Sequence, residues 1–506
     1  MSSSNHHHDH PEDEDFEHDM LDQDEVGEVL EGEDGDGDVP MGSDDEGEDL
    51  FLQNDSIAYF DGHKDSVFAI AQHPLFPNLI ATGGSEGDSD DAPGKGYVID
   101  TAAAVSRPVL PPSYNSDPEP TPQNPELNPI FAIDGHTDSI NALAFTLPRG
   151  DFLVSGGMDG RLRVYAVAAS QTPTGVTTAQ FKFLAESQET EEVNWLLPCP
   201  SPEHPNTIAF GANDGSVWVL TLDASDPSNP IQIVQSYFLH TGPCTAGSWT
   251  RDGQLLATVS EDASLHVFDV WGAAAARSLV TDNGQTVVSL TEADQRFAVE
   301  GGLYSVAISP GGGLVAAGGA GGAIRIVGLP RLAQAQGQNP RAAAAATAQA
   351  GAILAAINVQ GDSVESLAFS PNPSTPCSPP GQSTAASPFS TRALLRRAPA
   401  SQGVHDGESV VRVEFVKAAS GAAAGWLLTS CGLDGAVRRW DLRGATAGAQ
   451  ASAGGPASSG LVKEWRGHRE VVRGWCVGIC AGGDGERIVT AGMTGWCWFS
   501  RLECVM

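Results

Sequence analysis

The chain has 506 residues and is strongly acidic, with 64 Asp and Glu against 27 Lys and Arg, which gives a formal net charge of −37. Residues 1–55 contain 22 of the acidic residues and no Lys or Arg, and the rest of the chain is acidic as well. A surface that binds nucleic acid needs an excess of cationic side chains facing phosphate. The composition therefore argues against direct binding of nucleic acid and favours a basic partner, or simply high solubility.

The eight cysteines show neither a paired CxxC motif nor zinc-ligand spacing. We expect them to be small buried residues in a reducing compartment. The N-terminus has no apolar core of the kind found in signal peptides, and no apolar run is long enough to span a membrane. These features predict a soluble protein of the cytoplasm, with the nucleus left open as a second compartment, and no membrane partner.

Residues 1–55 carry few large apolar side chains, so burial cannot offset the entropy of ordering them, and we predict a disordered acidic tail. Within it, the His-rich stretch at 5–10 is interpreted as tail composition rather than as a metal site. Residues 56–60 (SIAYF) form a lone predicted strand ahead of the first repeat. We expect this strand to pair with the last repeat, because ring closure removes the sheet edges that invite aggregation.

One unit then recurs to the C-terminus, and its clearest copy is 131–167. This copy opens with Gly135-His136 and continues with apolar strands at 140–145 and 152–155, a tight turn at 158–160 and a third strand at 162–165. Alternating apolar residues separated by turn residues predict antiparallel sheet. A period of about forty residues is typical of a β-propeller blade.

Seven further copies are recognisable with different degrees of completeness, at 62–100, 193–220, 240–269, 303–327, 364–369, 410–441 and 467–499. The copy at 364–369 has a good first strand but no recognisable turn or third strand. Polar and Pro-, Gly- or Ala-rich stretches at about 101–129, 331–352, 371–408 and 443–460 are predicted to be surface insertions in a propeller that spans 56–506.

The unit resembles the WD repeat, most closely in GLDGAVRRWDLR at 432–443. In WD repeats a His, a strand Ser or Thr, a turn Asp and a strand Trp form a hydrogen-bonded set. The resemblance implies these roles for His136, Ser155, Asp159 and Tyr165 in one unit and for Thr429, Asp434 and Trp440 in another. A buried His or Asp must be hydrogen-bonded or it is costly, so we interpret these residues as structural rather than catalytic.

Motifs that carry enzyme chemistry are missing from the sequence. It has no GxSxG, no HExxH, no P-loop and no dinucleotide fingerprint followed by a helix. The glycine-rich stretch at 318–326 precedes a predicted strand, which does not suit a phosphate cradle. We therefore expect no catalytic residues, no metal and no cofactor.

Several features occur in a defined order: an acidic tail, SIAYFDGHKDSVFAIAQHPLFPNLIATGG, GHTDSINALAFTLPRGDFLVSGGMDGRLRVY, INVQGDSVESLAFSP, LLTSCGLDGAVRRWD and a terminal GHREVV. This order resembles the angio-associated migratory cell protein family, whose fungal members are the Sqt-type ribosome-assembly proteins. The resemblance implies an all-β, eight-bladed propeller, here with a degenerate sixth blade. It also implies a dedicated chaperone that captures the basic N-terminal segment of a large-subunit ribosomal protein (the universal L-sixteen family) and supports late assembly of the large subunit. We expect the protein to be a monomer.

Electrostatic capture of such a segment needs carboxylates where propeller loops meet at the channel mouth. The starts of first strands and the turns after second strands should lie there. The candidates are Glu365, which is the strongest, and Asp65, Asp138, Glu192, Asp214, Asp262 and Asp434. The turn aspartates have a competing interpretation as internal hydrogen-bond acceptors, and Trp195 is either a stacking platform for an arginine or a core residue.

A second function remains open at this point. WD propellers also serve as general scaffolds in signalling, cytoskeletal or ubiquitin-ligase assemblies, and the fold alone does not decide between these uses. A scaffold predicts apolar or mixed contact sites on the top face rather than a cluster of carboxylates.

Overall fold

The computed structural model describes residues 56–87, 89, 92–105, 126–171, 177–332, 350–358, 363–371, 405, 410–416, 425–442, 460–466, 476–481, 487–492 and 497–501. The predicted acidic tail at 1–55 and most of the predicted insertions lie outside these residues.

The described strands form antiparallel sheets of four strands each, which we number one to seven in chain order. A first short strand, β1 (Ala58–Phe60), belongs to sheet seven. From the innermost strand outward, sheet one is β2 (Val67–Gln72), β3 (Leu79–Ser85), β4 (Gly94–Asp100) and β5 (Pro129–Ile133), and sheet two is β6 (Ile140–Phe145), β7 (Phe152–Gly157), β8 (Arg161–Gln171) and β9 (Thr177–Gln188). Sheet three is β10 (Val193–Pro198), β11 (Thr207–Ala212), β12 (Val217–Leu222) and β13 (Ile231–Tyr237). Sheet four is β14 (Cys244–Trp249), β15 (Leu255–Ser260), β16 (Leu265–Asp269) and β17 (Thr286–Leu290).

Sheet five is β18 (Leu303–Ile308), β19 (Leu314–Gly319), β20 (Ala323–Gly328) and β21 (Ile353–Asn358). Sheet six is β22 (Val410–Phe415), β23 (Leu427–Gly432), β24 (Ala436–Asp441) and β25 (Leu461–Arg466). Sheet seven is β26 (Cys476–Ala481), β27 (Arg487–Gly492) and β28 (Cys497–Arg501), completed by β1. Helical structure within the described ranges is limited to one turn, α1 (Ala102–Val105), and two 3-10 turns at Ala275–Arg277 and Ala320–Gly322. The fold is therefore an all-β propeller built from WD-type units.

Apolar side chains hold the sheets together where neighbouring sheets pack face to face. Ile140 and Leu143 of sheet two pack against Val98 and Ile133 of sheet one. Corresponding clusters lie between the other neighbouring sheets except sheets five and six, and one of them joins sheet seven to sheet one. Full burial of a Val, Leu, Ile or Phe side chain contributes about 1.5–3 kcal/mol, so these interfaces supply most of the driving force for folding.

The N-terminal strand completes the sheet formed by the C-terminal strands. Ala58, Tyr59 and Phe60 pair antiparallel with Phe499, Trp498 and Cys497 of β28, and β1 is the outermost strand of sheet seven. Phe60 is buried at the interface between this sheet and sheet one. The two ends of the propeller region are thereby joined in one sheet.

The segment 363–371 occupies the gap between sheets five and six, although it is not part of a sheet among the described residues. Val364 is buried and packs against Leu314 and Ile326 of sheet five. On the other side, the Ser370 hydroxyl donates to the carbonyl oxygen of Gly425 at 2.7 Å. The first strand predicted at 364–369 is thus an extended segment wedged between two sheets rather than a strand with its own ladder.

No helix in the described part of the chain is long and apolar enough to cross a membrane.

Candidate functional site

The starts of the innermost strands and the turns between second and third strands lie on one face of the ring, here called the top face. In sheet two, the Met158 N–H in the turn donates to the carbonyl of Ser139, just before β6, at 2.9 Å. The equivalent bond in sheet four joins the Glu261 N–H to the carbonyl of Pro243 at 3.1 Å. Side chains from both sets of loops are therefore presented on the same face.

The structure brings together the four residues that the WD resemblance assigned to sheet two, with the Tyr165 hydroxyl next to Ser155. His136 is buried, with Nδ1 3.1 Å from Asp159 Oδ1 and Nε2 2.8 Å from the Ser155 hydroxyl. Tyr165 stands in the position of the WD tryptophan and donates its hydroxyl to the carbonyl of Asp134 at 3.2 Å. These bonds connect the start of the unit to its second strand and its turn, and so fix the geometry of the blade.

Sheet six contains the same set with a histidine that the sequence analysis did not identify. His405 Nδ1 lies 2.7 Å from Asp434 Oδ1, and Nε2 lies 2.9 Å from the Ser430 hydroxyl. Trp440 donates from Nε1 to the same hydroxyl at 2.8 Å. The signal that could have identified His405 is its position five residues before the apolar Val410, since the Gly-His pair seen in sheet two is replaced by Val-His.

The assignment of Thr429 to this set is wrong, and Ser430 takes the role. Neighbouring residues in a strand point to opposite faces of the sheet, so a shift of one residue moves the hydroxyl to the other face. Thr429 accepts a hydrogen bond there from Arg439 Nε at 3.3 Å.

Two of the predicted partner-binding carboxylates are used inside their turns. Asp262 accepts the Thr241 N–H at 2.6 Å, and burial opposes its ionisation, yet hydrogen bonds from His240 and neighbouring groups hold its pKa well below the ordinary range. Asp434 is 9% exposed, and its bond to His405 helps to lower its pKa against the effect of burial. Both carboxylates belong to the turn rather than to the exposed surface.

Four other predicted carboxylates reach the top face. Asp138 and Asp214 each accept one backbone N–H, at 2.6 and 2.8 Å, in the manner of local turn caps. Asp65 lies 3.3 Å from the hydroxyl of the next residue. Asp214 is exposed, and Glu192, Asp65 and Asp138 are half-buried.

A series of inter-sheet hydrogen bonds defines the register of Glu365. Near the start of four innermost strands, a polar side chain donates to a carbonyl of the next innermost strand or of the 363–371 segment. The series runs from Asn141 to Val193 at 3.3 Å, from Asn194 to Cys244 at 3.0 Å, from Thr245 to Leu303 at 2.6 Å and from Ser305 to Val364 at 2.5 Å. Val364 therefore occupies the place that Val193, Cys244 and Leu303 hold in their own sheets.

Glu365, one residue further on, corresponds to the second residue of those innermost strands. In the sheets this residue sits at a shift in strand register, which is a β-bulge that re-aims the side chain. The equivalent residues in the described sheets are Phe68, Asn141, Asn194, Thr245, Tyr304, Val411 and Val477. Glu365 is exposed, and it is the one carboxylate in this described series.

Negative charge on the top face is unevenly compensated. In sheets one and two, Lys64 lies 2.7 Å from Glu86, Lys95 lies 3.5 Å from Asp134, and Arg163 pairs with Glu186. Among the described top-face residues of sheets three to five and the 363–371 segment, a set of carboxylates has no ion-pair partner. This set is Glu189, Glu191, Glu192, Asp214, Glu261, Glu300 and Glu365. Asp65 and Asp138 of sheets one and two are also outside the ion pairs between described residues, so uncompensated carboxylates are spread over the top face. They are most numerous over sheets three to five and this segment, which is a surface suited to a cationic ligand.

Trp195 has a packing role. Its indole ring lies directly against the backbones of Gly211 and Gly247, where an added Cβ would come within 2.3 and 2.4 Å of it. The ring also packs into the cluster between sheets three and four. This environment favours the core interpretation of Trp195 over the stacking platform.

Comparison with known proteins places these features in a family. The model of the WD domain, G-beta repeat, matches residues 127–166 and 231–269. The crystal structure of Sqt1 from Chaetomium thermophilum is 59% identical in sequence, with a TM-score of 0.72 over 90% of this chain and 99% of that one. This chain belongs to the Sqt1 family.

A second crystal structure shows Chaetomium thermophilum Sqt1 bound to the N-terminus of the ribosomal protein L10, at 59% identity and a TM-score of 0.71 over 89% of this chain and 100% of that one. Ribosome assembly protein SQT1 of Saccharomyces cerevisiae is 30% identical over 288 residues, which is 56% of this chain and 54% of that protein. The match thus spans about half the length of the curated yeast Sqt1. The crystal structure of yeast Sqt1, at 21% identity and a TM-score of 0.59, supports the fold alone.

Proposed function

We propose that this chain is a dedicated chaperone that captures the basic N-terminal segment of a large-subunit ribosomal protein of the L10 type and supports assembly of the large subunit. The observation that carries the proposal is the relative of 59% identity whose structure holds the N-terminus of ribosomal protein L10. The uncompensated carboxylates of the top face supply matching chemistry in this chain.

Capture of the basic segment depends on electrostatic attraction at two distances, before contact and in the complex. The net charge of −37 attracts a cationic segment from a distance and speeds encounter, an effect that salt screens. At the channel mouth, the exposed carboxylate of Glu365 accepts two parallel hydrogen bonds from an arginine guanidinium, a geometry that lysine cannot match. Glu192, Asp214 and Glu261 extend the acidic surface away from the mouth.

We propose that the ring that presents this surface has eight blades. Apolar clusters pack the 363–371 segment on one side against sheet five and on the other against sheet six, as an innermost strand would pack. We infer that this segment is the first strand of a reduced sixth blade, that sheets six and seven are blades seven and eight, and that β1 closes the ring.

The protein acts by binding rather than by catalysis, as a monomer and in the cytoplasm, with the nucleus open as a second compartment. Buried thiols fit a reducing compartment: burial raises the pKa of Cys199 to about 11 and that of Cys244 to about 12, so both remain protonated.

Calorimetric titration of the full chain with a peptide copying the N-terminus of ribosomal protein L10 tests the proposal. We expect binding at low salt that weakens as salt is raised, because salt screens the attraction between exposed charges. The control is the same peptide with every Arg and Lys replaced by Gln, which should not bind. Failure of the native peptide to bind at low salt would reject the proposed function.

A further inference from the structure

An exposed aromatic corner lies on the top face of sheet three, at its outer edge. Phe238 directly follows β13 and is 66% exposed, the highest value among the large apolar side chains that the structure describes. Its ring meets the ring of Trp218 edge to face, with centroids 5.7 Å apart and an interplanar angle of 86°. Phe238 forms the open side of this corner, and the half-buried Trp218 forms the other side while packing against the core cluster between sheets two and three.

Trp218 is held in place from two directions. Its indole N–H donates to the Ser216 hydroxyl at 2.9 Å, and its ring is parallel to the buried ring of Phe210 within 8°. The Ser216 hydroxyl in turn donates to Asp214 Oδ1 at 2.6 Å. A chain of two hydrogen bonds therefore links the indole to an exposed carboxylate.

Strand register explains why these groups share one side of the sheet. Val217 pairs with Tyr237 and Trp218 pairs with Ser236, so Phe238 comes opposite Ser216. Residues two apart on a strand face the same way, which places Ser216, Trp218 and Phe238 together. The tight turn that carries Asp214 also packs against the chain after Phe238, since an added Cβ on Gly215 would lie 2.8 Å from the His240 carbonyl.

The chemistry of the corner matches a cationic side chain. The faces of Trp and Phe rings attract cations, and Trp does so best. Asp214 adds a full negative charge and takes part in none of the ion pairs between described residues. Glu189 and Glu191, which are exposed on the neighbouring loop before β10, strengthen the negative potential. An apolar partner would leave Asp214 without a counter-charge in the interface, so charge complementarity favours a cation.

We propose that Asp214, Trp218 and Phe238 form a subsite for an arginine side chain of the basic segment, separate from the channel mouth at Glu365. This inference rests on the proposed function, and it adds a second anchoring point on the path of the bound segment. The flat guanidinium stacks on an aromatic ring while its N–H groups donate to the carboxylate, a combination that a lysine ammonium provides less well.

The test compares Phe238→Ala with Ile233→Ala in the full chain, by calorimetry with the peptide copying the N-terminus of ribosomal protein L10. Both side chains are exposed, at 66% and 52%, so neither substitution should impair folding, and only Phe238 lines the corner. We expect Phe238→Ala to weaken binding about three- to tenfold, consistent with a cation–aromatic contact, and Ile233→Ala to bind as the unaltered chain does.

A second comparison identifies the ligand group. In a series of peptides, each arginine in turn is replaced by lysine. One of these peptides should bind the unaltered chain more weakly than the native peptide does, but should bind Phe238→Ala as well as the native peptide does. Equal binding by Phe238→Ala and the unaltered chain would overturn the subsite while leaving the proposed function intact. Failure of the unaltered chain to bind the peptide would overturn both.

Discussion

At the scale of single residues, one hydroxyl in the second strand determines whether a WD-type set is complete. Ser155, Thr258 and Ser430 hold equivalent positions in sheets two, four and six, and each hydroxyl meets the Nε2 atom of a buried histidine at 2.8–2.9 Å. In sheet one, Thr82 meets His63 in the same way at 2.9 Å. The role therefore needs a hydroxyl at one position, and either Ser or Thr supplies it.

Ser430→Ala should lower the free energy of unfolding by about 1–3 kcal/mol, because it leaves the buried Trp440 N–H and His405 Nε2 without their partner. Ser430→Thr is the matched control and should stay near the original stability, since Thr fills this position in sheets one and four. Urea denaturation followed by intrinsic fluorescence measures both. An alanine variant as stable as the threonine variant would show that the hydroxyl is dispensable.

Sheet five shows why residue-level prediction from sequence fails at some positions. Its turn has Gly321 in place of the aspartate, its second strand has Ala317 in place of the hydroxyl residue, and Arg325 of the third strand ties the unit to the preceding loop. This buried guanidinium donates to the carbonyls of Phe297 and Ala298 at 3.2 and 2.8 Å, and burial lowers its pKa. A buried cation that bonds to the carbonyls of a distant loop leaves no motif in the sequence.

At the scale of elements, the first three strands of each complete unit were predictable and the fourth strands were not. Strands such as β7 and β19 are buried along their whole length and read as continuous runs of apolar and small residues. The outer strands β9 and β21 face solvent on one side and mix charged or small residues with apolar ones. The strand β21 begins at Ile353, directly after the insertion predicted at 331–352, and β5 begins at Pro129, where another insertion was expected to end.

Substitutions at two adjacent residues of the 363–371 segment, Val364 and Glu365, should differ in their effect on the free energy of unfolding. Val364 is buried in a cluster with sheet five, so Val364→Ala should lower the free energy of unfolding by about 1–3 kcal/mol through lost burial and a residual cavity. Glu365 is exposed, so Glu365→Ala should change stability by less than about 0.5 kcal/mol. Chemical denaturation of the two variants checks this. A loss of stability confined to Glu365→Ala would contradict the register that we assign to the segment.

At the scale of the whole molecule, closure of the propeller by β1 fixes the positions of the charged residues on the top face. Pairing of β1 with β28 joins the two ends of the propeller in one sheet, which holds the top-face loops in a fixed arrangement. On that arrangement, cations pair with several carboxylates of sheets one and two, whereas the larger set over sheets three to five and Glu365 is left without ion-pair partners. Composition revealed the excess of acid, but its concentration on one part of one face depends on pairings that only the folded chain displays.

The most direct measurement of the central claim compares charge reversal on the two faces of the ring. Glu365→Lys and Glu203→Lys change the net charge equally, but Glu203 is exposed in the loop between β10 and β11, on the face opposite the top face. Calorimetry with the L10 N-terminal peptide at moderate salt should show about a ten- to hundredfold loss of affinity for Glu365→Lys, because it replaces a close charge pair with a repulsion. Glu203→Lys should lose less than about threefold, since distant exposed charges are screened. Equal affinities for the two variants would contradict capture at the channel mouth.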